Sequence, residues 1–399
     1  MIDFDAAAGS EEIKNRPVTK KRTGILKDPR YAGHCMGPDE PECPERLDVL
    51  NALLLEPDLS GCFQDISPRM AENDELQRVH SADYIKRLEA TSGRGSVYLD
   101  EDTRTSPLSN EVAQLAAGGL CRAIEDVHAG RVDNAFALVR PPGHHAERAA
   151  ARGFCLYNNV AIAARYAQSK LGLARILVVD WDLHHGNGTQ HCFEDDPSVL
   201  FFSTHQAFTY PHSGRLREIG KGKGKGYTVN VPLLPGFGDG DYLVLFERLL
   251  KPIALEFRPD IILVSAGFDI HFSDPLGGMK VTPAGFAGLT RILLDIAAQC
   301  CRGKLVMTLE GGYNLEALRD SVRAVLREMV GQRTTDIQSA IASANPKKTA
   351  YVIWRVKRMH RKYWKNLALS VSGEPVENHL PVMDRLRGNM ARWMTFFRT

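Results

Sequence analysis

The stretch that decides the fold reads Ile176-Leu177-Val178-Val179-Asp180-Trp181-Asp182-Leu183-His184-His185-Gly186-Asn187-Gly188. Four apolar residues without alternation, two of them valine, suit a strand buried on both faces of a parallel sheet. The run then delivers Asp180, Asp182 and His184, followed by His185 and two glycines. Open α/β sheets build their sites at the carboxyl ends of strands. Residues i and i+2 of an extended segment share a face, so Asp180, Asp182 and His184 can project together. Two carboxylates with an imidazole form a mixed N/O donor set that suits a divalent cation, Zn²⁺ first. The structural alternative is a polar loop that only caps the next helix.

Similar strands lie on either side of this one. Ala135–Val139 runs into Arg140-Pro141-Pro142-Gly143-His144-His145, Ile261–Ser265 feeds a loop with Asp269 and Asp274, and Leu305–Leu309 precedes Glu310-Gly311-Gly312-Tyr313-Asn314. Val199–Thr204 reads as a further strand. Helical spacing fills the gaps: from Pro44, with Leu47, Leu50, Leu53 and Leu54; from Ser81; over Ser109–Gly130; from Asn159 to about Lys170; over Pro283–Cys301 with Thr282 as cap; and onward from Leu315. This alternation predicts an α/β fold, a mostly parallel central sheet with helices on both faces and long site-bearing loops. Gly220–Gly226, with alternating glycine and lysine, reads as a solvated hairpin. Residues 1–22 read as a polar arm, 23–345 as one catalytic domain and 346–399 as a helical extension. That extension holds a basic aromatic segment (Tyr351–Trp364), a break (Ser370–Pro375) and an amphipathic tail (Met383–Phe397). It packs on the domain or on another subunit, which gives a route to a homo-oligomer.

Composition narrows the class. The chain has 399 residues, 44% of them hydrophobic, and a formal charge of +2. A large core is possible, and the balance calls for neither nucleic acid nor an anionic membrane. The N-terminal residues lack a signal-peptide pattern, and no run of about 18 apolar residues suggests a membrane span. Eight cysteines without a C-x-x-C pair fit reduced thiols in a cytoplasmic enzyme. The basic segment Trp354–Trp364 reads as a covering helix with solvated lysines rather than a nucleic-acid surface.

The chemistry of the strand ends assigns parts. A catalytic zinc takes three protein ligands and leaves a position for water. Asp182 and His184 supply two, and Asp274, before Pro275 on a neighbouring strand end, is expected as the third. Such a metal lowers the pKa of its water to about 7 and polarises a carbonyl. His144 and His145 suit base and acid work near neutral pH. Asp180 and Asn187 are candidates to fix their tautomers, and a carboxylate behind one with an amide behind the other pushes their pKa values apart. Tyr313, after Gly311-Gly312, can donate to a developing oxyanion. The set points to amide hydrolysis by metal-activated water.

Five motifs carry a specific resemblance: Arg140-Pro-Pro-Gly-His-His-Ala146, Gly153-Phe-Cys-Leu-Tyr-Asn-Asn159, Asp180-Trp-Asp-Leu-His-His-Gly-Asn-Gly188, Gly267-Phe-Asp-x-His-x-x-Asp-Pro-Leu-Gly277 and Glu310-Gly-Gly-Tyr-Asn314. In this order, over about residues 23–330, the chain resembles the zinc-dependent histone deacetylase family, its class II and bacterial deacetylase-like branch. The resemblance implies the single-domain arginase/deacetylase fold and removal of acetyl or longer acyl groups from lysine side chains in proteins or peptides. It implies Zn²⁺ on Asp182, His184 and Asp274. His145 is implied as general base, or shared base and acid, with His144 its electrostatic partner. Asp180 then pairs with His144, Asn187 with His145, and Tyr313 polarises the acyl carbonyl. Gly153 and Phe154 form one wall of an acyl-lysine channel, with Tyr210 or Phe208 opposite. Asp102 matches a rim aspartate that holds substrate backbone, and Arg46 a buried arginine behind the site. Leu276, Gly311 and Gly312 complete the substrate-facing set. The resemblance also implies structural K⁺ or Na⁺: one site on Asp180, Asp182, His184 and Ser203, a second near Phe193, Asp196, Val199 and Tyr227.

One departure bears on substrate. Polyamine-specific relatives place a glutamate after Asp-Pro, and here that residue is Leu276. An apolar gate favours acyl-lysine over an acetylpolyamine. A dinuclear manganese hydrolase of the arginase kind would want a carboxylate two residues after His184, where Gly186 stands. A silent acyl-lysine binder is the remaining alternative, though the histidines and tyrosine that such proteins lose are all present.

Overall fold

The computed structural model describes residues 21–333 and 335–367. Nearly all of the 1–22 arm, the Ser370–Pro375 break and the Met383–Phe397 tail lie outside the described residues.

Ten strands are present: β1 Thr23–Leu26, β2 Phe63–Ile66, β3 Val97–Tyr98, β4 Arg104–Thr105, β5 Asn134–Ala137, β6 Ile176–Asp180, β7 Val199–Gln206, β8 Thr228–Leu233, β9 Ile261–Ala266 and β10 Leu305–Leu309. β3 and β4 form a small antiparallel ladder, and the other eight make one sheet in the order β2-β1-β5-β10-β9-β6-β7-β8. Every neighbouring pair in that sheet is parallel. Parallel strands need crossover helices, which cover the sheet. β6, β9 and β10 are accordingly buried at every residue, which is what their unbroken apolar runs require.

Helix boundaries follow local chemistry. Asn158 starts Asn159–Leu171 by accepting from the Ala161 amide at 3.0 Å, and Asn314 starts Leu315–Met329 by accepting from Ala317 at 3.0 Å. Thr282 departs from expectation. Its hydroxyl donates to Asp239 at 2.6 Å, and it makes no side-chain cap on Pro283–Cys301. That helix is long and apolar enough to cross a membrane (mean hydropathy 1.2), but 67% of its apolar window is buried inside the protein. Its residues pack on the sheet, with Phe286 5.0 Å from Phe268 and 6.5 Å from Trp181. A core helix explains its composition.

One region differs from the sequence reading. Gly220–Gly226 is no free hairpin: the Lys221 amide donates to the Glu194 carbonyl at 2.5 Å, and Gly222–Gly224 form a short 3-10 turn. The residues from 346 onward begin as the helix Pro346–His360, whose Val356 and His360 are buried. Trp364 then donates its indole N–H to the Gly226 carbonyl at 2.9 Å and packs 5.2 Å from Tyr227. This part of the extension therefore closes the β8 edge of the sheet and pins the glycine-lysine loop. A strand edge covered in this way is protected from pairing with other chains.

Candidate active site

Four adjacent strands, β5, β10, β9 and β6, end beside one another at the centre of the sheet, so their following loops meet. Among the described residues, Asp182, His184 and Asp269 each bring one donor atom within 4.8 Å of the other two. His184 Nδ1 lies 3.2 Å from Asp182 Oδ1 and 3.1 Å from Asp269 Oδ2. Backbone amides from neighbouring loops aim the carboxylates: Gly311 donates to Asp182 Oδ2 at 2.9 Å, and Leu183 to Asp269 Oδ1 at 2.8 Å.

Asp274, expected as the third ligand, is elsewhere. Its Oδ2 accepts the amides of Tyr313 at 2.7 Å and Asn314 at 3.3 Å, and its Oδ1 that of Leu276 at 3.0 Å. It is a loop anchor, and Asp269 takes the place assigned to it. Asp182 stands two residues past the end of β6 and Asp269 three past the end of β9. Asp274 stands eight past that end, after the chain has turned away.

The donor set fits a divalent metal. Burial and the charge of Asp182 push Asp269 up to about 7, the mark of crowded buried carboxylates short of counter-charge. Burial alone would lower His184, but its bonds to Asp182 and Asp269 raise it to about 10. A proton thus holds the place a cation would take. Two carboxylates and an imidazole are a donor set for Zn²⁺.

The paired histidines lie with ring centres 3.9 Å apart. His144 Nδ1 sits 3.0 Å from Asp180 Oδ2, and His145 Nδ1 2.7 Å from Asn187 Oδ1. Burial opposes charge on His144, yet Asp180, Asp182 and Glu310 together push it up to about 10. Burial and the positive charges of His144 and His184 push His145 well below the usual imidazole value. The two rings are therefore pushed in opposite directions, His144 towards holding a proton and His145 towards losing one.

Glu310, given no role of its own in the sequence reading, buttresses this pair. Its Oε2 accepts the Gly143 amide at 2.7 Å and the His144 amide at 3.2 Å, while Oε1 accepts from Ser265 at 2.9 Å. Behind it Arg46 donates to the Gly312 carbonyl at 2.8 Å and lies over the Tyr313 ring, 5.1 Å from its centre. Arg46 and Arg140 share the buried Glu42, so the rear wall is an ion cluster whose members need one another.

The mouth is aromatic. Phe154 packs edge-on to Tyr313 at 6.0 Å, and Tyr210 packs edge-on to His145 at 5.0 Å. Tyr210, rather than Phe208, faces the histidines, since Phe208 is 65% exposed. Gly153 has φ +54°, and a Cβ there would lie 2.8 Å from His145 Cγ. Asp102 accepts the Gly153 amide at 3.1 Å and so steadies this wall. Leu276 is 41% exposed.

The residues expected at monovalent cations are placed as follows. Ser203 Oγ bonds His205 Nδ1 at 2.9 Å, and Asp180 Oδ1 accepts the Asp182 amide at 3.1 Å. The carbonyls of Phe193, Asp196 and Tyr227 accept amides from Asp196, Val199 and Phe201 at 3.0, 3.4 and 2.9 Å. Each carbonyl keeps a second lone pair.

The model of the histone deacetylase domain matches residues 40–329. Histone deacetylase 15 of Arabidopsis thaliana is 39% identical over 357 residues, covering 88% of this chain and 64% of that protein. Polyamine deacetylase HDAC10 of Homo sapiens is 42% identical over 349 residues, covering 82% of this chain and 51% of that protein. The chain thus spans between half and two thirds of the length of these two curated relatives. The crystal structure of the HDA15 HD domain matches with a TM-score of 0.81 at 38% identity, over 87% of this chain and 97% of that one. Likeness of this extent, in sequence and in fold, places the chain in the histone deacetylase family.

Proposed function

We propose that this chain is a zinc-dependent deacylase that removes acetyl or longer acyl groups from the side-chain amine of lysine in proteins or peptides. The observation that carries this reading is the convergence of Asp182, His184 and Asp269 within 4.8 Å, beside the His144–His145 pair. Zn²⁺ on those three residues supplies a Lewis acid for the acyl carbonyl and acidifies a water ligand.

The chain's own residues do the rest. His145 is neutral, with Nδ1 bonded to Asn187, so its Nε2 takes a proton from the attacking water. His144, cationic against Asp180, stabilises negative charge as the tetrahedral centre forms and keeps its neighbour from holding a second proton at rest. The Tyr313 hydroxyl, kept protonated by burial, donates to the developing oxyanion. Phe154 and Tyr210 enclose the lysine methylenes and exclude water. Asp102 holds substrate backbone at the rim. K⁺ or Na⁺ near Ser203 and near Tyr227 serves the loops and not the reaction.

A second reading, an acetylpolyamine deacetylase, is favoured by the likeness to HDAC10. Leu276 at the rim weighs against it, since a cationic amine gains nothing from an isobutyl group. The test is a panel of acyl-lysine peptides of increasing chain length beside N-acetylputrescine, with and without a zinc-binding hydroxamate. Hydroxamate-sensitive turnover of the peptides is expected. Turnover confined to the polyamine would replace the substrate assignment, and turnover of neither would end the deacylase reading.

A further inference from the structure

A chain of polar contacts leads outward from His145. Asn187, buried, accepts at Oδ1 from His145 Nδ1 at 2.7 Å. Its amide nitrogen donates to Glu147 Oε1 at 2.6 Å and to the His145 carbonyl at 3.3 Å. His191 Nδ1 lies 2.9 Å from Glu147 Oε1 at the surface. Burial would raise the Glu147 carboxyl, but His191, Asn187 and Arg152 hold it below its ordinary value, so it is ionised.

An ionised carboxylate only accepts hydrogen bonds. With the His145 carbonyl, which also only accepts but more distantly, it fixes which end of the Asn187 amide points outward. The NH₂ must face Glu147, which leaves the carbonyl oxygen facing His145. That oxygen in turn needs a proton on Nδ1, and the lone pair of a neutral ring then lies on Nε2. With the amide reversed, the NH₂ would meet Nδ1 and place the ring proton on Nε2, where it cannot serve as base. We propose that Glu147 is a positioning residue whose carboxylate locks the Asn187 amide and thereby holds His145 in the Nδ1–H tautomer. The kinetic consequence rests on the deacylase reading; the tautomer does not.

The test reads both. Histidine ¹⁵N NMR reports the His145 tautomer in the zinc-loaded wild type and in Glu147→Ala, Glu147→Gln and His191→Ala, alongside kcat, KM, zinc content and melting temperature. Wild type and Glu147→Gln, whose amide oxygen still accepts, are expected to show one Nδ1–H form. Glu147→Ala is expected to mix tautomers and to lose about 10–100-fold in kcat, with KM, zinc content and melting temperature unchanged. Assayed at about pH 8, well above the ordinary glutamate value of about 4.3, so that Glu147 stays ionised without the imidazole, His191→Ala is expected to match wild type. A pure Nδ1–H tautomer in Glu147→Ala overturns the proposal. So does a His191→Ala variant with the same loss, because Glu147 would then act only as a tether for Asn187–Phe193. Should wild type hydrolyse no acyl amine, the deacylase reading fails and the NMR comparison alone decides this one.

Discussion

Gly153→Ala tests how closely the channel wall is fitted to the base. Gly153 sits at φ +54°, and an added Cβ would stand 2.8 Å from His145 Cγ and 3.0 Å from Tyr210 Cε1, where ordinary contact begins at 3.4 Å. The left-handed backbone costs an alanine about 1–2 kcal/mol. The imidazole must also retreat by more than the 0.6 Å between 2.8 and 3.4 Å, because its Cδ2 lies closer to the added Cβ than its Cγ does. A displacement of about 1 Å at a reacting group costs on the order of 100-fold in rate, about 2.7 kcal/mol of barrier. The expected enzyme keeps its zinc, melts about 2 °C lower and loses about 100-fold in kcat. Gly93→Ala is the control: its φ is +72° and nothing lies within 4 Å of the added Cβ, so it should show a similar melting shift with wild-type kcat. A Gly153→Ala enzyme with undiminished kcat, or one whose loss only follows lost zinc, refutes the fitted-wall argument.

Further outcomes follow from the same geometry. Asp269→Asn should strip most of the zinc, while Asp274→Asn should retain it and lose kcat as the Tyr313 loop loosens; elemental analysis of the two proteins decides between them. Chelation should lower the melting temperature by about 5 °C, because a metal at about 1,000 times its Kd contributes about 4 kcal/mol to the folded state; an unchanged melt would mean that no metal had been bound. Leu276→Glu should raise the N-acetylputrescine to acyl-peptide ratio of kcat/KM about fivefold, the worth of one partly exposed ion pair at about 1 kcal/mol. The acid limb of kcat/KM should fall below the ordinary imidazole value. Burial and neighbouring positive charge push His145 down, a bound cation pushes the same way, and the base works only after losing its proton. A limb at or above about 6.5 would contradict that assignment.

The sequence made the central strands legible because both-face burial leaves an unbroken apolar run, as in Ile176–Val179 and Ile261–Val264. β2, which reads Phe-Gln-Asp-Ile, lies at the sheet edge with two exposed residues, and its pattern gave no such signal. β8, Thr-Val-Asn-Val-Pro-Leu, carries a proline that is tolerated because it is also an edge strand. The paired histidines were readable because they stand together in one loop, seven and eight residues past the end of β5, and their partners because Asp180 and Asn187 lie in the β6 stretch that also carries the metal donors. The third ligand was misread because Asp269 and Asp274 share one loop, and only the backbone path separates a side chain aimed at the centre from one turned back to hold Tyr313. Glu310 and Glu147 were missed for another reason: their roles exist only through contacts across 167 and 40 residues of chain.

The carboxylates in and beside the donor set are held by amides of neighbouring loops. The 311 amide holds Asp182, the 183 amide holds Asp269, and the 313 amide holds Asp274. Each loop is thus a clasp on the next, and none can lift away without releasing a carboxylate that another segment depends on. Opening is then collective. These three amides should exchange with solvent as one unit at the rate of global unfolding, and a metal ion must come and go through the aromatic mouth, because no single segment can swing aside to admit it.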